Sequence, residues 1–319
     1  MSEYRDTKSP IKNPPIIVIV GPTAVGKTEL AISLAKKIDG EIISADSMQI
    51  YKGMDIGTAK PSKREQNNIT HHMIDMTEPD QDYSVAKFKK VAQDIINDIV
   101  VRGKFPIIVG GTGLYVNALI YDYSFEELPR DSDCREKLRK KIEIEGLHKL
   151  HEELTDADPK AAERIHPNDE KRIIRALEVI YTTGNPISEY QKTQKESPYN
   201  TLMIGLTKSR DELYDRIEKR VDKMLEKGLV DEVKDLLARG YNKNMTSMQA
   251  LGYKEIVEYL QGEVTFEETI KLVKKRTKRF AKRQLTWFNR DQNITWYNLS
   301  CTNLFKVEKD IIRMLQEYF

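Results

Sequence analysis

The run PIIVIVGPTAVGKTELAISLAKK, residues 15–37, leaves this chain few folds to choose from. Residues 15–20 are short, apolar and β-branched, the composition of a strand buried on both faces of a parallel sheet. Gly21-Pro22-Thr23-Ala24-Val25-Gly26-Lys27-Thr28 follows and fits the phosphate-loop spacing Gly-x-x-x-x-Gly-Lys-Thr in full. A helical apolar spacing then runs to Gly40. With a strand before it and a helix after it, such a loop turns its amides onto phosphate oxygens, and the helix N-terminus adds partial positive charge. Lys27 supplies a mobile cation, and the Thr28 hydroxyl is placed to ligate Mg2+. The expected class is α/β, a P-loop-containing parallel sheet core. The motif specifies phosphate, most familiarly ATP or GTP, and leaves the reaction class open.

EIISAD at 41–46, FPIIVGGTG at 105–113 and TLMIGLT at 201–207 read as further buried strands, with NITWYNLS as a last one. Residues 84–103 carry an amphipathic helix, and 47–70 read as loop and short helices. Residues 124–200 differ in texture: charged helical segments broken by Gly, Pro and Asn, with no strand pattern. The predicted organisation is therefore residues 1–123 as the first part of the core, with 1–14 a loose tail, 124–200 as a helical insertion domain, and 201–319 as the second part. Long helices follow residue 207, with a break near Gly228, and a basic helix covers 266–290. A chain of 319 residues accommodates two such units.

Composition excludes several classes. Two cysteines, Cys134 and Cys301, build neither a disulfide framework nor a metal cluster, and they read as free thiols in a reducing cytosol. No signal-peptide stretch and no membrane-length apolar run appears, so a soluble cytoplasmic chain, with no membrane partner and acting as a monomer, is expected. Net charge is only +2, which hides local asymmetry.

The third strand ends IIVGGTG with no carboxylate, unlike an ordinary NTPase, and no Asn-Lys-x-Asp motif for guanine is present. The acid sits instead beyond the second strand, as Asp46 in SADSMQIY. Ligands of open α/β sheets lie beyond the C-terminal strand ends, so Asp46 either faces the phosphate site as a proton acceptor or caps a following helix. GGTGLY at 110–115 either lines the same site or packs a strand against a helix. Arg216 and Arg220 lie one turn apart and either clamp a diphosphate, on a basic surface that Lys219 and Lys223 extend, or belong to a solvated face balanced by Asp215, Glu218 and Asp222. The stretch 271–290 holds nine Lys/Arg and no acid, with Phe280, Trp287 and Phe288 interleaved, a pattern that favours RNA or phosphate contact. His71 and His72 lack a third ligand and read as polar loop residues.

GPTAVGKTELA, ISADSMQIYKGMDIGTAKPS, HHMIDMTEPDQDYSVAKF, IIVGGTGLYVNAL, RIIRALEV and KRQLTWFNRD occur in this order and together resemble the tRNA dimethylallyltransferase, or tRNA isopentenyltransferase, family from about residue 15 to 292. The resemblance implies transfer of a dimethylallyl group from dimethylallyl diphosphate to N6 of the adenosine just 3′ of the anticodon, with release of pyrophosphate. It implies that Gly21 to Thr28 hold the diphosphate, with Thr23 near the leaving oxygen and Arg220 beside the diphosphate. Asp46 matches the general base that contacts the adenine amine, and Ser47, Met48 and Gln49 continue a tRNA-contacting segment. Thr112 and Arg135 match further tRNA contacts, as do Lys171, Arg172, Ile173, Ile174 and Arg175 on the insertion, where Lys171 replaces the Gln of many relatives. Lys282, Arg283 and Trp287 in the last block complete the expected RNA-facing set, and the insertion is expected to grasp the anticodon stem-loop. Eukaryotic members carry a C-terminal zinc finger that two cysteines cannot form, so the bacterial type is implied.

The rivals are an adenylate isopentenyltransferase acting on free AMP or ATP, a small-molecule kinase, and a non-catalytic RNA-binding protein with a phosphate switch. The long insertion and the basic helix disfavour the first, since a mononucleotide needs neither.

Overall fold

The computed structural model describes residues 13–121, 128, 131–190 and 197–318. Most of the tail expected over 1–14 lies outside the described residues. The first elements are β1 (Pro15–Val20), α1 (Lys27–Lys37), β2 (Gly40–Ala45), α2 (Lys63–Gln66), β3 (His71–His72), α3 (Val85–Val101), β4 (Phe105–Gly110) and α4 (Gly113–Ile120). Five helices follow: α5 (Ser132–Glu145), α6 (Leu147–Ala157), α7 (Pro159–Arg164), α8 (Glu170–Thr183) and α9 (Ile187–Tyr190). The chain then forms β5 (Asn200–Thr207), α10 (Arg210–Glu226), α11 (Leu229–Ala238), α12 (Tyr253–Leu260), α13 (Phe266–Phe288), β6 (Thr295–Asn298) and α14 (Leu304–Tyr318). Gly228, at φ 95°, breaks α10 from α11 where the sequence predicts a break.

The structure divides into two compact units, one of residues 1–84, 88–120 and 197–319, the other of 85–87 and 121–196. The first holds one parallel sheet in the order β3-β2-β4-β1-β5-β6. β1 lies between β4 and β5, and Ile16 to Val20 have no solvent exposure, as a β-branched run with helices on both faces requires. Leu30, Ala31, Leu34 and Ala35 form the buried stripe of α1.

Register sets the site. Val20 pairs with Gly110 on one side and Gly205 on the other, and Ala45 also pairs with Gly110. The phosphate loop after Val20, Asp46 after Ala45 and the glycine turn after Gly110 therefore leave the sheet at one level.

The second unit is helical among its described residues, around Leu138, Leu150, Leu154, Ile173, Ala176 and Leu177. Asp131, Asp158 and Asp169 cap α5, α7 and α8 through their side chains. Asn200, expected as the last residue of the insertion, pairs opposite Pro15 at the start of β5, and its amide donates to the Pro14 carbonyl at 3.1 Å.

His71 and His72 are not loop residues. They form the edge strand β3 beside Ile42 and Ile43, too short to show a period in sequence. His72 joins a charged cluster around Glu41, which is buried at the opposite, N-terminal end of β2: Arg102 donates to both carboxylate oxygens at 2.5 and 2.8 Å, and His72 Nε2 lies 2.7 Å away. Hydrogen bonds from Arg102, opposed by burial and helped by His72 and Lys104, pull the Glu41 carboxyl down to about 2. Its stabilisation is complete above the ordinary glutamate value of 4.5 and is lost as pH falls toward 2. Glu41→Gln is therefore expected to cost about 2 kcal/mol at neutral pH. In urea unfolding, the gap between the two proteins should stay constant from pH 7 to 5 and close below pH 4.5.

Candidate active site

The phosphate loop is shaped by two glycines in left-handed conformations, Gly21 at φ 143° and Gly26 at φ 115°. A β-carbon on Gly21 would run into the Leu206 carbonyl of β5, so the loop can leave the sheet here only through glycine. Gly26 starts α1 without a side chain that could occupy its first amides. Lys27 reaches across the loop, its Nζ donating to the carbonyls of Gly21 at 2.9 Å and Pro22 at 2.8 Å. From α10, Arg216 Nε donates to the Ala24 carbonyl at 2.8 Å. Thr28 is exposed at the start of α1.

Three charges meet here. Burial, then the Arg220 guanidinium, lowers the Lys27 ammonium to about 7, against the pull of Asp46. Burial also lowers Arg220, which Asp46 raises and Arg216 lowers further. Asp46 is thus the counter-ion to two desolvated cations. Its Oδ1 accepts the Met48 amide at 2.9 Å, which closes an Asx turn. Residues 47–50 are turn and no helix begins there, so helix capping is not its role. The Thr112 amide donates to the Ala45 carbonyl at 3.2 Å, and Thr112 Oγ1 accepts the Ser47 amide at 3.1 Å, joining the glycine turn to the Asp46 segment.

Two residues that the sequence reading passed over hold these loops. Gln284 of α13 is buried, and its Oε1 accepts the Thr23 amide at 2.8 Å while its Nε2 donates to the Gly111 carbonyl at 3.0 Å. Glu232 of α11 accepts the amides of Asp55, Ile56 and Gly57 at 3.0, 2.8 and 3.2 Å and the Tyr253 hydroxyl at 2.5 Å. Gln49 connects that turn to the site: its Oε1 accepts from Ser44 Oγ at 2.9 Å and its Nε2 donates to the Thr58 carbonyl at 3.3 Å. Lys60 completes the anchor with ion pairs to Asp55 and Asp75, both at 2.6 Å.

The expected RNA-facing residues have different surroundings. Lys282 and Arg283 are exposed, Arg283 stacks 5.8 Å from the Phe280 ring centroid, and the Trp287 indole occupies the space a side chain on Gly113 would need. Part of the basic stretch is neutralised within the protein: Lys274 pairs with Asp222 at 2.7 Å, Arg276 with buried Glu255 at 2.6 Å, and Lys278 with Glu218. Those acids lie on α10 and α12, out of sight of a local charge count. Lys219 is paired with Asp215 on its own helix.

In the second unit, Lys171 and Arg172 are exposed, whereas Ile173 and Ile174 are buried in its core and offer no side chain to a ligand. Arg135 and Arg175 both bind Glu178, which is fully buried, at 2.8 and 2.7 Å. Both guanidiniums therefore have a structural role at that carboxylate. Among the described residues, no group of three His, Cys, Asp or Glu is placed to hold a metal, and Cys134 and Cys301 are free thiols. No helix among the described residues is long and apolar enough to cross a membrane.

A phosphate loop on a parallel sheet, faced by a carboxylate from the end of another strand and by arginines from a following helix, defines a class of phosphate-binding α/β enzymes. Comparison with known proteins narrows it. The model of the IPP transferase family matches residues 49–291. A tRNA dimethylallyltransferase from Natranaerobius thermophilus is 52% identical over 311 residues, spanning 97% of this chain and 94% of that protein. One of the same name from Caldanaerobacter subterraneus is 55% identical over 286 residues, spanning 88% and 91%. The solved full-length tRNA isopentenylpyrophosphate transferase of Bacillus halodurans superposes with a TM-score of 0.72 at 46% identity, covering 96% of this chain and 98% of that one. A eukaryotic dimethylallyltransferase, solved acting on tRNA, superposes with a TM-score of 0.73 at 33% identity, covering 89% and 74%. The chain belongs to the IPP transferase family.

Glu232→Ala removes the acceptor of three amides. Amide exchange over residues 55–60 is expected to speed up about tenfold or more. Exchange at the wild-type rate, read by mass spectrometry, would show that the turn is held by other contacts.

Proposed function

We propose that this protein transfers the dimethylallyl group of dimethylallyl diphosphate to N6 of the adenosine just 3′ of the anticodon in tRNA, with release of pyrophosphate. The observation that carries the reading is the pairing of a carboxylate, Asp46, with a cationic phosphate cradle, Lys27 and Arg220, at one level of the sheet. The names of the relatives support it. An exocyclic adenine amine is a poor nucleophile because its lone pair is delocalised, so it needs a proton acceptor and a reactive allylic carbon. The amine nitrogen forms a bond to the allylic carbon as the carbon–oxygen bond to the diphosphate breaks. Asp46 takes the amine proton. The electron pair leaves with the diphosphate, whose growing charge is met by the loop amides, Lys27 and Arg220. Thr23, whose amide is held by Gln284, has its hydroxyl available to the leaving oxygen.

Mg2+ fits as a substrate-bridged ion. The Thr28 hydroxyl is one exposed oxygen ligand beside the loop, and diphosphate oxygens and water are the usual remainder. Its chemistry there would be to neutralise charge on the departing diphosphate.

RNA contact falls to Asp46, Ser47, Met48 and Thr112 at the reacting base, and to Lys282, Arg283 and Trp287 on α13. Lys171 and Arg172 of the insertion domain meet the anticodon stem-loop. Gln49, Arg135 and Arg175 act by holding structure. We place the enzyme in the cytoplasm as a monomer, where its tRNA substrate is found.

The test offers an unmodified anticodon stem-loop and AMP side by side with labelled dimethylallyl diphosphate. Label on N6 of the stem-loop adenosine is expected, and label on AMP alone would overturn the acceptor. Asp46→Ala should reduce turnover about 10²- to 10⁴-fold with stem-loop affinity kept within about threefold. Unchanged turnover would remove Asp46 from the mechanism.

A further inference from the structure

Seven of the eight basic residues of α13 fall into two sets, with Arg283 outside both. Lys274, Arg276 and Lys278 face inward to acids on α10 and α12 and dock the helix. Lys271, Lys275, Arg279 and Lys282 are exposed and form no ion pair among the described residues. Spacings of four, four and three residues put these four on one face, where they run about 16 Å along the axis. They border a groove of about 460 Å³ between α10 and α13, floored by Tyr214. The only acid lining it is Glu218, already paired with Lys278. Glu268, one turn from Lys271, uses its carboxylate to accept from Thr265 at the start of α13.

We propose that this groove is a track for an RNA phosphate backbone, extending the grip on tRNA beyond the nucleotide that is modified. The inference rests on tRNA being the substrate. Like charges one turn apart destabilise a helix, so a row of them gains most from a polyanion laid along it. The row is too long for a single diphosphate. Its four cations match a short run of phosphates along one strand. The same helix carries Gln284, two residues beyond Lys282, which is bonded to the phosphate-loop residue Thr23. Residues two apart point to nearly opposite sides of a helix, so the row lies along the outer side of the helix whose inner side holds the phosphate loop. Lysine ammoniums that face no base edge read phosphate and not sequence, so the track sets affinity and leaves the chemical step alone.

The test uses Lys271→Ala, Lys275→Ala and Arg279→Ala combined, all exposed positions outside the catalytic site, on a protein checked for an unchanged melting temperature. With full-length tRNA at about 0.15 M salt, KM is expected to rise about tenfold or more with kcat within twofold. The slope of log affinity against log salt should become shallower by about two, at roughly 0.7 to 0.9 per lost phosphate contact. With an RNA cut back to the anticodon loop, wild type and variant should match. An unchanged KM and salt slope on full-length tRNA would overturn the track, as would an equal loss on the loop-only RNA. Filter binding of tRNA reads the same slope without turnover. A wild type that binds tRNA but does not prenylate it would thus overturn the functional reading and leave the track to be judged by its own slope.

Discussion

Val20 and Ala45 sit opposite the same residue, Gly110, and the site depends on that register. A parallel sheet delivers each strand end in the same direction. Because β1, β4 and β2 are neighbours in step, the phosphate loop, the glycine turn and Asp46 emerge together without any of them being adjacent in sequence. A slip of one residue in β2 would turn Asp46 toward the opposite face of the sheet. β2 is buried along its whole length, from Gly40 to Ala45, which makes such a slip costly.

The strands bring the parts to one level, and the buried carboxamide of Gln284 and the half-buried carboxylate of Glu232 set their spacing. Gln284 ties the phosphate loop to the glycine turn with one amide group, which both donates and accepts. Glu232 gathers three consecutive amides and a tyrosine hydroxyl, so a turn that no helix or strand supports is still held. Neither group is free to act on a substrate, yet each controls where a reacting residue stands. Removing Gln284 would leave the buried Gly111 carbonyl unsatisfied, a larger penalty than the loss of the bond itself.

Local pattern carried much of this into view. All eight residues of the phosphate loop are contiguous, and the strand and helix around them have unmistakable periods, so fold class and phosphate cradle were legible. Asp46 was legible as an acid at a strand end, although its Asx turn was not. What escaped depends on distance along the chain: Thr23 and Gln284 are 261 residues apart, and Ile56 and Glu232 are 176 apart. The same limit hid the partners of α13, which shows no acid in its own sequence from 271 to 290 because its acids come from α10 and α12. It also gave Ile173 and Ile174 a contact role, where helical burial assigns them to the core of the second unit.

The electrostatics of the cradle follow from what it must do. Arg220 lowers Lys27 and Arg216 lowers Arg220, so each cation is held close to others at a cost. Lys27 answers that cost by bonding to two loop carbonyls, and Asp46 answers it as an acid that acts on both cations. A diphosphate would satisfy the cations better than either arrangement. In doing so it would release Asp46 from its role as counter-ion while leaving the carboxylate fixed by the Met48 amide. On the proposed reaction, binding of the anion and readiness of the base are then coupled through the same charges.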